Sequence, residues 1–122
     1  MNLNETKAFC MAFNGTASKL SCAPSNILSY KVGDKKFAYF KTSEPEQWRF
    51  SFRVSPDRFL ELTDQPGIKP ARYMHRFHWV TVVDVESMPE AYLTELIRWS
   101  YGKALSSLTK KAQRALLEPQ SG

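Results

Sequence analysis

Residues 47–54 alternate strictly, placing Trp48, Phe50, Phe52 and Val54 on one side of an extended chain and Gln47, Arg49, Ser51 and Arg53 on the other. A helix would scatter these side chains around its axis, whereas a strand collects them into one apolar and one polar face. Such a strand cannot stand alone: its aromatic face must be covered by another layer, and its edges must pair with other strands. The chain therefore has to build a sheet with one covered and one wet face.

The flanking segments supply the rest of that architecture. Leu3 followed by Asn4 reads as a staple and an N-cap, and Thr6, Phe9, Cys10 and Phe13 then recur at helical spacing until Asn14-Gly15, giving a first helix over 4–13. Residues 14–25, rich in Ser, Gly, Asn and Pro, read as a loop. Two strands, 26–32 and 36–41, flank Gly33-Asp34, a two-residue hairpin signal. After the alternating strand, Ser55-Pro56-Asp57 reads as cap, first-turn proline and first-turn acid of a second helix that ends near Asp64. The segment 68–75 contains Pro70 and suits a short edge strand. Residues 77–85 are apolar on both alternating sets, as in a central strand. Ser87-Met88-Pro89-Glu90 has the spacing of a capping box, and Leu93, Leu96, Ile97, Tyr101, Ala104, Leu105 and Leu108 then form the stripe of the longest helix. A last short helix follows Thr109 and ends near Pro119.

The order is α-β-β-β-α-β-β-α, which describes an α+β two-layer α/β sandwich, an antiparallel sheet with helices packed on one face. At 122 residues this is one domain, 1–122, with a core over about 3–108 and a tail over 109–122. No run of about 18 apolar residues and no basic-then-apolar leader is present, so the expectation is a cytoplasmic protein with no membrane partner. Two cysteines, Cys10 and Cys22, are too few for a disulfide framework and read as free thiols.

Catalytic templates are incomplete. Ser100-Tyr101-Gly102-Lys103 and Ser107-Leu108-Thr109-Lys110 match a bare Ser-x-x-Lys spacing without the companion motifs, and no nucleophile elbow or phosphate-cradling glycine loop occurs. Cys10, Cys22, His75 and His78 lack metal-ligand spacing. The reading is a non-enzyme with no cofactor and no metal.

Charge is more informative. The chain carries 17 Lys and Arg against 12 Asp and Glu, and the excess is local. Lys31, Lys35, Lys36, Lys41, Arg49 and Arg53 outnumber Asp34, Glu44 and Glu46 across the first three expected strands. A basic hairpin beside a basic sheet face suits phosphate contacts. Lys69, Arg72, His75, Arg76 and His78, interleaved with Tyr73, Phe77 and Trp79, form a second cluster of the type that binds phosphates while stacking on bases. Both sets also suit an ordinary solvated strand face with cations covering core aromatics.

Around Tyr73-Met74-His75-Arg76-Phe77-His78-Trp79-Val80-Thr81-Val82 the sequence resembles the bacterial MmcQ/YjbR family. The resemblance extends to Lys31-Val32-Gly33-Asp34-Lys35-Lys36-Phe37-Ala38, Lys69-Pro70-Ala71-Arg72, Met88-Pro89-Glu90 and Ser100-Tyr101, in that family's order, and departs from it over 17–25. It implies a fold similar to secretion chaperones and CyaY, and a DNA-binding protein with a double wing of hairpins and no enzymatic activity. The Gly33-Asp34 hairpin with Lys35 and Lys36 would be one wing and 69–78 the second basic element. The other reading of the same fold is a protein-interaction module, with a protein partner or a second copy on the open sheet face.

Overall fold

A computed structural model describes residues 1–117. Helix α1 (Leu3–Met11) leads into four strands, β1 (Thr16–Ser21), β2 (Ile27–Val32), β3 (Lys35–Lys41) and β4 (Phe50–Arg53). Helix α2 (Pro56–Thr63), β5 (Ile68–Pro70), β6 (Trp79–Val82), α3 (Glu90–Ser106) and α4 (Lys110–Leu117) follow. The strands form one antiparallel sheet in the order β1-β2-β3-β4-β6-β5. The fold is α+β, as expected, with one strand more than the sequence suggests.

That strand is β1, inside the expected loop over 14–25. Its sequence has little β propensity, and it exists because all six of its residues pair with β2, from Thr16 opposite Val32 to Ser21 opposite Ile27. Other corrections are local. The cap of α1 is Asn2, not Asn4: Asn2 and Glu5 exchange side-chain and backbone hydrogen bonds in a capping box. The alternating strand is cut to Phe50–Arg53 because Glu46 (φ 57°) and Trp48 (φ 70°) take left-handed backbone just before it, turning the Trp48 ring onto Phe40 at 6.3 Å and under the Lys7 ammonium at 4.1 Å. The expected strand over 77–85 shortens likewise, since His75–Phe77 is a 3-10 turn and His78 (φ 64°) is left-handed. Ser87 caps no helix: its hydroxyl donates to Asp84 O at 2.6 Å, and α3 starts at Glu90 with Pro89 in the cap position and no side-chain cap. The expected end of the last helix at Pro119 lies outside the described residues. Ser55, Pro56 and the edge position of β5 stand as expected.

The core lies between α1, α2 and α3 and one sheet face. Phe37, Phe40, Phe50, Phe52, Val80 and Val82 from the sheet are completely buried against Leu62 of α2 and Leu93 and Ile97 of α3. Phe40 stacks on Phe50 with centroids 4.5 Å apart, and Tyr101 of α3 stacks on Phe13 at 4.4 Å while its hydroxyl donates to Asn14 O at 2.7 Å. Tyr101 thereby ties the end of α1 to the helix layer. Helix α4 also joins the core, with Leu116 packed beside Gly15.

Gly33 in the β2-β3 turn has φ +60°, and a Cβ there would sit 3.1 Å from Leu108. Gly33→Ala should cost about 1–2 kcal/mol, from the left-handed backbone and the crowded leucine together. Urea unfolding of the variant checks this, and an unchanged midpoint would mean that the turn relaxes freely.

Candidate functional site

All six strands together contain Lys19, Lys31, Lys35, Lys36, Lys41, Arg53 and Lys69 and not one Asp or Glu. Register then decides which face each cation takes. Phe40, Phe50 and Val82 lie on the helix-covered face, so alternation sends Tyr39, Ser51, Thr81 and Lys69, which are aligned across the sheet, to the opposite, outer face. Lys19, Ser29 and Lys31 join them through the pairing of β1, β2 and β3. Arg53 sits opposite Trp79 on that face, and the Tyr39 and Trp79 rings stack at 5.7 Å.

Lys36 reaches the outer face through an irregularity. Tyr30 pairs with Ala38, but the next rung pairs Lys31 with Lys36, leaving Phe37 as the extra residue of a bulge. Regular pairing would aim Lys36 into the core. The bulge instead gives the core to Phe37, completely buried, and turns Lys36 outward, with its Nζ 5.4 Å from the centre of the Tyr39 ring. A bulge leaves backbone groups without ladder partners. Phe37 O, on the bulged residue, and Arg53 N–H of the neighbouring β4 both turn to Ser100 of α3: Arg53 N–H donates to Ser100 Oγ at 3.1 Å, and the Ser100 hydroxyl donates to Phe37 O at 2.6 Å. A single buried hydroxyl thus bridges β3 and β4 and holds the segments that carry Lys36 and Arg53.

The result is a file of cations on adjacent strands. Lys31, Lys36 and Arg53 span about 10 Å at the usual strand spacing, with Lys19 one strand further. None of the four forms an ion pair among the described residues. Lys31 and Lys36 are direct cross-strand neighbours, and burial followed by the adjacent Lys31 charge lowers the Lys36 pKa from its ordinary value. Like charges facing each other across a sheet are destabilising.

The remaining expected residues divide. Arg49 and Lys69 both bind Glu46, at 3.0 and 2.6 Å, and the hydrogen bond from Lys69 is the main cause of a lowered Glu46 pKa. Lys41 donates to Pro45 O at 2.6 Å. Lys35, paired with the buried Val32, falls on the helix side, so the two hairpin lysines do not act together. His78 puts its ring against Phe59 of α2 at 5.6 Å and is a packing residue. Arg72, His75 and Arg76 are exposed in the segment between β5 and β6. Sequence reasoning missed Lys19, hidden in the supposed loop, and the aromatic stack of Tyr39 on Trp79; the bulge that re-aims Lys36 has no sequence signature.

The thiols are free, Cys10 buried and Cys22 exposed. Burial pushes the Cys10 pKa up to about 12, so its reactive thiolate form is absent at neutral pH. Among the described residues no cluster of His, Cys, Asp and Glu has metal-binding arrangement, and no helix is long and apolar enough to cross a membrane.

The chain is similar over most of its length to several known proteins. It is 27% identical over 119 residues to YjbR of Escherichia coli (strain K12), covering 97% of this chain and 99% of that one. It is 37% identical over 88 residues to YbdF of Escherichia coli O157:H7, covering 70% of each. Among solved structures, Deinococcus radiodurans protein DR2400, with a DUF419 domain, superposes with a TM-score of 0.81 at 25% identity over 99% of this chain and 91% of that one. A Pseudomonas syringae protein shares the fold, with a TM-score of 0.67 at 19% identity over 85% of this chain and 99% of that one. The YjbR family model matches residues 11–103, which hold all six strands, the bulge and all of the outer-face cations named above. The chain belongs to the YjbR family.

Proposed function

We propose that this protein is a non-catalytic DNA-binding module that grips phosphates with the outer face of its sheet. The observation that carries the reading is the unneutralised file Lys19, Lys31, Lys36 and Arg53, whose central pair is crowded at a cost to the free protein. Phosphate oxygens remove that cost by neutralising both ammonium groups, and backbone phosphates are repeated along a strand as the cations are repeated across the sheet. The reading modifies the double wing implied by the family resemblance: the contact surface is the sheet face itself, joined by the segment 69–76 at one end, while Lys35 lies apart.

Titration of duplex DNA of two unrelated sequences at several salt concentrations tests it. With about four phosphate contacts, log affinity falls with log salt at a slope near −3.6, equally for both sequences. Absence of binding at about 50 mM salt and micromolar protein overturns the reading, since non-specific affinity is measurable there. A salt-insensitive complex with a protein, and none with DNA, would support the interaction-module alternative instead.

Glu46 supplies an internal check, because it occupies Arg49 and Lys69 at one end of the face. Glu46→Gln should lower stability by less than about 1 kcal/mol, as these ion pairs are partly exposed. It should also steepen the salt slope by about one or more, because two cations are released toward phosphate. An unchanged slope would place Arg49 and Lys69 outside the contact.

A further inference from the structure

The segment between β5 and β6 spends aromatic surface on solvent. Tyr73 is 75% exposed and Phe77 49%, while each has its preceding arginine beside the ring, Arg72 5.0 Å from the Tyr73 centroid and Arg76 5.8 Å from that of Phe77. Tyr73 also holds φ +68°, a conformation that disfavours a bulky side chain. The backbone around them is fixed: Ala71 N–H donates to Trp79 O at 3.0 Å and His78 N–H to His75 O at 2.9 Å. Neither exposure nor strain contributes to folding, and the segment 72–77 contains no acid. It opens directly onto Trp79, the residue that stacks on Tyr39 and faces Arg53 in the cation file.

We infer that Tyr73 and Phe77 are stacking platforms for unpaired bases, and that the nucleic acid this surface prefers is single-stranded. The inference rests on the phosphate-binding reading of the sheet face and adds to it the form of the ligand. Two arginine-aromatic units, four residues apart, offer what a single strand needs: a ring for each base and a cation for the adjoining phosphate. In a duplex the bases are already stacked on one another, so these rings gain little there beyond what the arginines gain from phosphate. Exposed aromatics near cations also suit an anionic membrane surface. The polar Tyr73, the intervening His75 and the continuity with a cation file on the sheet favour the strand.

Fluorescence anisotropy of the full chain with a labelled oligothymidine, with the same length of duplex, and with phosphatidylglycerol vesicles separates the outcomes. The single strand should bind at least about tenfold more tightly than the duplex. Tyr73→Ala and Phe77→Ala should each lower single-strand affinity about tenfold and change duplex affinity less than about twofold, whereas Tyr73→Phe keeps it. Both residues are exposed, so the variants fold, and circular dichroism verifies that. If single strand and duplex bind equally and both alanine variants match the parent, the stacking inference fails while the phosphate reading survives. Equal losses on duplex and single strand overturn it in favour of a wedge between paired bases. Binding to vesicles with none to either nucleic acid overturns both readings.

Discussion

Lys31→Gln with Lys36→Gln, made together, should reduce affinity for duplex DNA about a hundredfold at about 50 mM salt and shrink the salt slope by about two. The magnitude follows from counterion release, since each phosphate contact contributes roughly one decade at that concentration. The loss should be the same for every sequence, because phosphate contacts carry no base information. The same substitutions should leave the free protein as stable as the parent or slightly more so. They remove a like-charge pair that faces itself across β2 and β3. Lost binding with retained or increased stability marks a surface kept for a ligand, whereas cations serving only as a solvated face would lose neither. Salt-dependent titration and urea unfolding of one preparation give both readouts.

The second large effect concerns the residue that holds this surface from behind. Ser100→Ala should destabilise the protein by about 2–4 kcal/mol, because it strips partners from Phe37 O and Arg53 N–H at a position where water does not reach. The helix itself gains slightly from alanine, so the cost is one of lost bridging and not of propensity. For a domain of this size the melting temperature should fall by about 10 °C. If β3 and β4 instead closed directly on each other between Phe37 and Arg53, the cost would be under about 1 kcal/mol and the hydroxyl would be dispensable. Thermal and urea unfolding distinguish the two.

These two residue sets also show how far the sequence could be read. The alternation of Phe50 and Phe52, the Gly33-Asp34 turn, the Ser55 cap and the α3 stripe follow from local chemistry, and local chemistry is written in local residues. Strand β1 is not, since Thr-Ala-Ser-Lys-Leu-Ser becomes a strand through pairing with β2. Lys36 is the sharpest case. Strand alternation over 36–41 gives Lys36 the same face as the buried Ala38 and Phe40, and it reaches the open face only because Phe37 is the extra residue of a bulge bridged by Ser100, 63 positions further on. Lys35 and Lys36 take opposite faces by simple alternation, and the bulge decides which of the two turns outward. The concentration of cations over 31–54 was legible as a count. That the strands hold no acid at all, and that Glu46 folds over one end to bind Arg49 and Lys69, becomes visible only when strand boundaries and register are known.

The aromatic residues divide along the same line. Trp79 has the alternation of a core position, yet it stacks on Tyr39 on the outer face and is buried there. Tyr101, the partner of Ser100 in the late Ser-Tyr pair, anchors Asn14 and stacks on Phe13, so both residues of that pair serve the architecture: one ties the end of α1, the other bridges the bulge.

The central claim is that nucleic acid lies on the outer sheet face, and residue-resolved chemical-shift mapping of the isotope-labelled chain during titration with a short oligonucleotide tests it most directly. Shifts concentrated on Lys19, Lys31, Lys36, Tyr39 and Arg53, fading as salt is raised, are the predicted result. Shifts confined to α1, α3 and α4, or spread without pattern over both faces, would contradict it.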